Sequence, residues 1–464
     1  MIMKKMERTT IIKLFVPLGV LFFLFFFYAN SSSAASLQDQ IDEAGAGDTV
    51  TIEEGIHEEV LHIDKPIHLK GLGEQQSRLL NKEAGTIIFI ESDDVVIEGI
   101  AFEHTEEDTE EEVGYRQVTD PFDPEPVISA DAPSDLHIID NTFDAIGSGI
   151  YVTNGTDIEV ARNSLIGVEA EYFMEGNAVE LYDTDDVELR DNRVRYMMDG
   201  FYLDTLSRAD ITGNDVSESR YATHLMFSDQ VTGDNNTYTD NVNGMMIMDS
   251  TNSSFSDNVF QEHFDVRGFG AMIFRSENIE LLNNRISQNS TGIQLQETRG
   301  TTIRGNAITG NHVGLSWNMR NPDFVFTNND MISNIIQTQA LSDALPLDAD
   351  GEGNYWDDYF MEDLTGDGVG ELTYESGTVY DLILEEQPEW QLFFESPAVS
   401  LWSQTEEWLP AIGRETAVDN YPKVEEQWAE EPEQQSAWVY ITIGFIFLAI
   451  AAAIIYYYRR NEYA

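Results

Sequence analysis

Residues Asn214–Asn236 (NDVSESRYATHLMFSDQVTGDNN) and Asn236–Asn258 (NTYTDNVNGMMIMDSTNSSFSDN) are two units of one design laid end to end. Each opens on an asparagine with an apolar residue two places on. The marker recurs as Asn141, Asn163, Asn192, Asn214, Asn236, Asn258, Asn284, Asn306 and Asn329, and five of the eight intervals are 22 residues. A period near twenty with a short β-pattern in every unit is the signature of a parallel β-helix, in which one repeat is one coil that buries its apolar face only by stacking on its neighbours. The sequence therefore predicts an all-β chain, a right-handed parallel β-helix, with the stacked asparagines forming a side-chain amide ladder at a coil corner.

Register on the markers assigns faces. The residue 14 before each marker is small (Gly149, Ala178, Gly200, Ala222, Gly244, Gly270, Gly292), as a tight turn into the next strand requires. Positions 13 and 11 before the marker, such as Phe201 and Leu203, alternate inward and supply a dry core. Positions 12 and 10 point outward: Tyr151 and Thr153, Glu180 and Tyr182, Tyr202 and Asp204, His224 and Met226, Met246 and Met248, Met272 and Phe274, Gln294 and Gln296. Two long intervals place extra residues around Val168–Gly176 and Gln261–Gly268, read as loops beside this wall, the second carrying His263.

Outside the regular coils, residues 1–35 read as a signal peptide: Lys4, Lys5, Arg8 and Lys13 precede an apolar run from Leu14 to Tyr28, and small residues follow for cleavage near Ala35. A retained anchor is the alternative. Ser36–Gly45 reads as a helix shielding the first coil, with two ragged coils after it. The solenoid is expected over 36–345, interrupted at 103–134 by an acidic, Pro-containing insertion read as a loop. A capping unit follows over 346–424 and an acidic linker over 425–437. Residues 438–458 are free of charge and long enough to span a bilayer, and Arg459 and Arg460 in the tail 459–464 orient them with the tail in the cytoplasm. The domain before the helix is then expected outside the cytoplasmic membrane and tethered to it.

The 84 acidic and 25 basic residues give a formal charge of -59, which excludes binding to nucleic acid. Such a surface suits saline or alkaline surroundings, with direct cation binding as the alternative. The chain has no cysteine, hence no disulfide and no thiolate metal site.

Four outward methionines and a histidine break the rule that solvent-facing wall positions are polar. With coils ~4.8 Å apart and alternate outward side chains ~6.6 Å apart, His224, Met226, Met246, Met248 and Met272 form one patch. Thioether sulfur is a soft ligand that prefers Cu(I), and imidazole also suits copper, so the patch is a candidate for transient copper contact. An adaptable docking face and an apolar wall covered by the insertion are the alternatives. In the cap, Asp363, Thr365, Asp367 and Gly368 have the spacing that begins a calcium loop, although Tyr374 stands where its last carboxylate belongs. A different class of function, an extracellular carbohydrate-binding or polysaccharide-degrading protein, would use Glu180, Asp204 and Tyr202 with Tyr151 and Tyr182 stacking on sugar rings.

Several segments together resemble one family: Arg220–Gln230 (RYATHLMFSDQ), Gly244–Ser250 (GMMIMDS), Gly353–Tyr359 (GNYWDDY), Gly366–Glu371 (GDGVGE) and Ser396–Val424. They look like NosD, the extracytoplasmic maturation factor of nitrous oxide reductase. The resemblance implies a non-enzymatic protein working with an ABC transporter (the NosF ATPase and NosY membrane subunit) and the copper chaperone NosL to assemble the reductase's copper-sulfide site. His224, Leu225 and Met226 match the family's motif, while the C-terminal membrane helix departs from its commoner soluble form.

Overall fold

Each coil turns three corners, and the corners are made by residues in the left-handed backbone region. In the computed structural model, which describes residues 36–73, 76–81, 85–104, 126–168, 176–342, 344–376 and 417–428, the chain winds into a right-handed parallel β-helix of about 12 coils. Its strands stack into three parallel sheets of 12, 13 and 12 strands, called A, B and C in the order the chain visits them. Before each marker asparagine, at the corner from A to B, stands a residue such as Asp140, Asp191, Asn235, Asp257 or Asn283, with φ of 53 to 57°. Asp and Asn tolerate this conformation, which explains their abundance at the corners.

The bend turns the next side chain inward, and there the asparagines interlock. Asn236 Oδ1 accepts from both the backbone N–H and Nδ2 of Asn214 at 2.9 Å, while Asn236 Nδ2 donates to Ile211 C=O at 2.7 Å and to Asn258 Oδ1 at 3.0 Å. Every rung thus satisfies corner backbone groups that burial would otherwise leave unpaired. The ladder is longer than nine markers: Asn354 continues it, and Asp419 closes it by accepting from the Asn354 backbone N–H at 2.8 Å. Trp356 donates to the same carboxylate at 2.9 Å and stacks on Tyr374, so the NYW segment is the final coil fastened to the cap. Beyond Asp419 the chain turns back along sheet B. There Asp330 accepts from the backbone of Gln427 and Trp428, and the Trp428 ring lies under the Arg285 guanidinium.

The other corners carry ladders of their own. From B to C, backbone N–H groups of Ser219, Asn241, His263, Asn289 and Asn311 each donate to the ladder side chain one coil on, ending at Asn334. From C to A, Ser228, Ser250 and Ser276 do the same with hydroxyls.

Several expectations change. His263 is not on a protruding loop but wholly buried as a rung, because the inserted residues 264–267 follow it; only they are displaced outward. The small residues 14 before the markers do not make a turn. All but Ala178, which immediately precedes its strand, lie within sheet C strands, where a Cβ on Gly149 or Gly244 would come within 2.2 Å of a carbonyl oxygen in the adjoining coil. Part of the stretch 103–134 is strand: Pro126–Asp131 pairs in register with Ser148–Thr153, its alternate side chains buried in the core. The first coils are three rather than two and take part in all three sheets. The N-terminal helix is Leu37–Glu43, closed by a Ser36–Asp39 capping box and burying Leu37 and Ile41. The expected signal peptide over 1–35, insertion residues 105–125, cap residues 377–416 and the expected membrane span 438–458 lie outside the described residues. Among the described residues no helix is long and apolar enough to cross a membrane.

Asn236→Ala should destabilise the protein by about 2–4 kcal/mol, since it strands the Asn214 N–H and the Ile211 carbonyl in the core. Thr237→Ala, one residue on and exposed, should change stability by less than about 0.5 kcal/mol; chemical denaturation compares the two. His263 offers a pH test, because burial holds its imidazole down at about 4, against an ordinary 6.5. A ring kept neutral in the fold contributes stability above about pH 6.5 that is lost as pH falls toward 4. His263→Asn, which restores the amide of the neighbouring rungs, should flatten denaturation midpoints across that window.

Candidate functional site

Strand pairing in sheet C settles which side chains share its outer wall. Tyr151, Glu180, Tyr202, His224, Met246, Met272 and Gln294 follow one another coil by coil in one file, and Thr153, Tyr182, Asp204, Met226, Met248, Phe274 and Gln296 in the next. His224, Met226, Met246 and Met248 therefore occupy the corners of a rectangle ~4.8 Å by ~6.6 Å, with Met272 one coil beyond. All five are half-buried, whereas Met245 and Met197 face the core. The rectangle suits a soft monovalent cation chemically, because one imidazole and three flexible thioethers project from neighbouring points and none requires deprotonation by a competing partner.

The wall is edged by apolar side chains. Phe227 at the C-to-A corner is 56 % exposed, and Phe264 and Val266, on the loop after His263, are 53 % and 59 % exposed. Arg275, paired with Asp249 at 2.6 Å, lies over the Phe274 ring.

On the opposite flank of His224, toward the N-terminal coils, the wall turns polar and aromatic. Tyr151, Tyr182, Tyr202 and His224 form a continuous aromatic chain that zigzags between the two files, with ring centroids 5.8, 5.6 and 5.1 Å apart. Glu180 accepts from Tyr182 Oη at 2.9 Å and from Asn177 Nδ2 at 3.0 Å. Its burial, and to a lesser degree the Asp199 charge, push its carboxyl above the usual range against those hydrogen bonds. Burial likewise raises the Tyr182 and Tyr202 phenols. Asp199 is fully buried, held in a bidentate pair by Arg220 Nε and Nη2 at 2.8 and 2.7 Å, and accepts from His224 Nδ1 at 3.1 Å.

Asp199 and Arg220 are the residues that reading the outward columns missed. Asp199 opens its sheet C strand on the core side of the alternation and Arg220 immediately precedes the next one, so neither falls in the outward columns, and the only signal was an arginine near the HLM motif. Asp363 and Asp367 are on an exposed turn of the cap. Asp363 accepts from the backbone N–H of Thr365, Gly366 and Gly368, and those bonds hold its carboxyl below the usual range. Among the described residues no three acidic or histidine side chains converge to hold a metal ion, there or elsewhere. A separate concavity of about 760 Å³ lies on sheet A, lined in part by Asp135, His137, Glu159, Glu188 and Arg208. It is acidic, and its two basic groups are already engaged: His137 bonds Glu159 at 2.5 Å and Asp135 at 2.7 Å, and Arg208 pairs with Asp186 at 2.6 Å.

The family described as periplasmic copper-binding protein (NosD) matches residues 166–360, which contain the whole Met/His wall. A Pseudomonas aeruginosa protein named as a probable ABC transporter binding protein NosD is 28% identical over 121 residues, covering 26% of this chain and 28% of that protein. The protein of the same name from Stutzerimonas stutzeri is 27% identical over 156 residues, 33% of this chain and 31% of its own length. The matched stretch thus spans about a third or less of either relative. Among solved structures, a variant of the periplasmic alginate epimerase AlgG superposes with a TM-score of 0.50 at 15% identity, covering 66% of this chain and 80% of that one. That likeness shows the fold alone. With the solenoid, the family match and the two relatives support a NosD-type parallel β-helix protein.

The outward placement of the methionines has a direct consequence for stability. Met246→Ala should cost less than about 1 kcal/mol, whereas Met245→Ala, next to it but in the core, should cost about 2–5 kcal/mol. Equal costs in a denaturation series would refute the register.

Proposed function

We propose that this chain is a non-enzymatic accessory protein for the maturation of nitrous oxide reductase. In this reading the solenoid works outside the cytoplasmic membrane, docks with an ABC transporter of the NosF and NosY kind and with the chaperone NosL, and passes copper toward the reductase's copper-sulfide site. Segment 438–458 would hold it at the membrane. The observation that carries the reading is the file of thioethers beside His224 on an otherwise polar solenoid. Thioether and imidazole bind Cu(I) without the oxidation to which thiolates are prone outside the cell. Copper is the cargo here, and a site that must release it is better built from neutral ligands on a flexible, half-exposed wall than from a closed cage. The exposed Phe227, Phe264 and Val266 at the edges of the patch fit a partner that covers the wall during transfer. Calcium at Asp363 and Asp367 would at most staple the cap and plays no part in the transfer.

A second reading has its own observation. The tyrosine file with Glu180, Asp199 and Arg220 gives the N-terminal half of the wall the aromatic and acidic groups of a sugar subsite, on a fold shared with an alginate epimerase. Release of reducing ends or unsaturated products from polysaccharides by the purified domain would favour that reading.

Replacing Met226, Met246, Met248 and Met272 together by leucine keeps the wall apolar but removes the sulfur. Reductase co-produced with this variant should contain markedly less copper than with the unaltered protein. Normal copper loading would sink the ligand role and leave docking alone.

A further inference from the structure

We propose that Asp199 is the positioning residue that turns His224 into a soft-metal ligand, and that Arg220 holds Asp199 in place for that purpose. The inference rests on the copper reading of the wall and names the device that would make it specific. A carboxylate can only accept a hydrogen bond, so the 3.1 Å contact between Asp199 Oδ2 and His224 Nδ1 puts the ring proton on Nδ1. Nε2 then carries the lone pair. Among the described residues it has no hydrogen-bond partner, and the imidazole is 13 % exposed. Metal-binding imidazoles almost always donate their second N–H in this way, which fixes the tautomer and the ring orientation and raises ligand basicity.

The surroundings of Asp199 suit this role. Its side chain is fully buried at the start of a sheet C strand, where an unpaired carboxylate would be costly. Arg220, 26 % exposed, takes both oxygens and packs over the Tyr221 ring. The Asp199 backbone N–H donates to Asn177 Oδ1 at 3.1 Å. Tyr202 meets the imidazole edge-on and Tyr221 meets it at 4.8 Å, so the ring is braced from two coils. Met246 is its register partner in the following coil and Met226 lies two residues along its own strand. The proposed ligand set is one Nε2 and the thioethers of Met226, Met246 and Met248, its register neighbours, with the charge compensation kept on the N-terminal side. No step in this arrangement transfers electrons or a proton; it only sets which nitrogen is offered and in what orientation.

The test uses Asp199→Asn, which keeps the shape, and Tyr202→Phe as a control that leaves the Asp199 contact intact. Nitrogen chemical shifts of the His224 ring in the metal-free protein, at mildly alkaline pH, should report a single Nδ1–H tautomer in the unaltered protein and in Tyr202→Phe. Asp199→Asn should show a mixture, and its affinity for Cu(I) or Ag(I) in a chelator competition should fall about tenfold or more. A thermal melt establishes that the variant is folded, and the tautomer readout would not move for a residue that merely supports the fold. If metal uptake occurs but neither tautomer nor affinity responds to Asp199→Asn, the positioning role is overturned and the copper reading survives. If the unaltered protein takes up neither Cu(I) nor Ag(I), both fall.

Discussion

The hydrogen bond from a corner backbone N–H to the Oδ1 of an asparagine one coil away is the interaction on which the rest of the protein depends. A corner needs a left-handed residue to bend, and bending takes the following N–H out of the sheet and into the core. Left unpaired there, each such group would cost about a kilocalorie or more, and the A-to-B corner has one per coil from Ile100 to Asn354. An amide side chain both accepts that N–H and donates to the carbonyl of the preceding strand, so it closes the deficit locally and passes the same arrangement to the next coil. Because every rung is fixed to its neighbours, coils cannot slip by a residue relative to each other. The outer wall inherits that register, and a side chain's neighbours on it follow from arithmetic along the chain.

The ladder is why so much of the fold was legible in the sequence. Asn141 to Asn329 could be found by spacing because no other side chain does the amide's work so well, and the core positions followed from alternation. Legibility failed where a different group took over the same job. The last rung is filled by Asp419, 65 residues beyond Asn354, and no period connects the two. In the second ladder an imidazole replaces the amide at His263, and the long interval around it suggested a loop. The decisive spacing was the one from Asn241, 22 residues back, not the one to the next marker. Pro126–Asp131 escaped because acidic residues and prolines surround it, although its own alternate residues pack in the core.

The candidate site divides in the same way. His224 and the four methionines were legible because they stand in the two outward columns, where polar residues are the rule. Asp199 was not, since alternation puts its position on the core side, and a carboxylate is the last residue expected there. It is tolerated because Arg220 and His224 from the following coil satisfy it, a requirement visible only in three dimensions. Neither outward column holds an Arg or Lys between Tyr151 and Gln296, yet Arg220 serves the wall from the corner.

The large negative charge of the chain and the neutral wall act on different aspects of one problem. A surface with a formal charge of -59 raises the local concentration of every cation, hard or soft, and so cannot discriminate among them. Discrimination has to come from ligands that hard cations ignore, and thioethers meet that condition because they carry no charge and little affinity for calcium, magnesium or zinc. A carboxylate on the rectangle itself would undo the selectivity by adding a hard ligand. Asp199 acts on the wall through the imidazole instead of pointing into it, and Arg220 cancels its charge, so the rectangle keeps an oriented nitrogen without acquiring an oxygen. That separation is possible only because a solenoid stacks coils at a fixed spacing, with the orienting carboxylate one coil before the ligand it orients and the thioethers on its own coil and the one after.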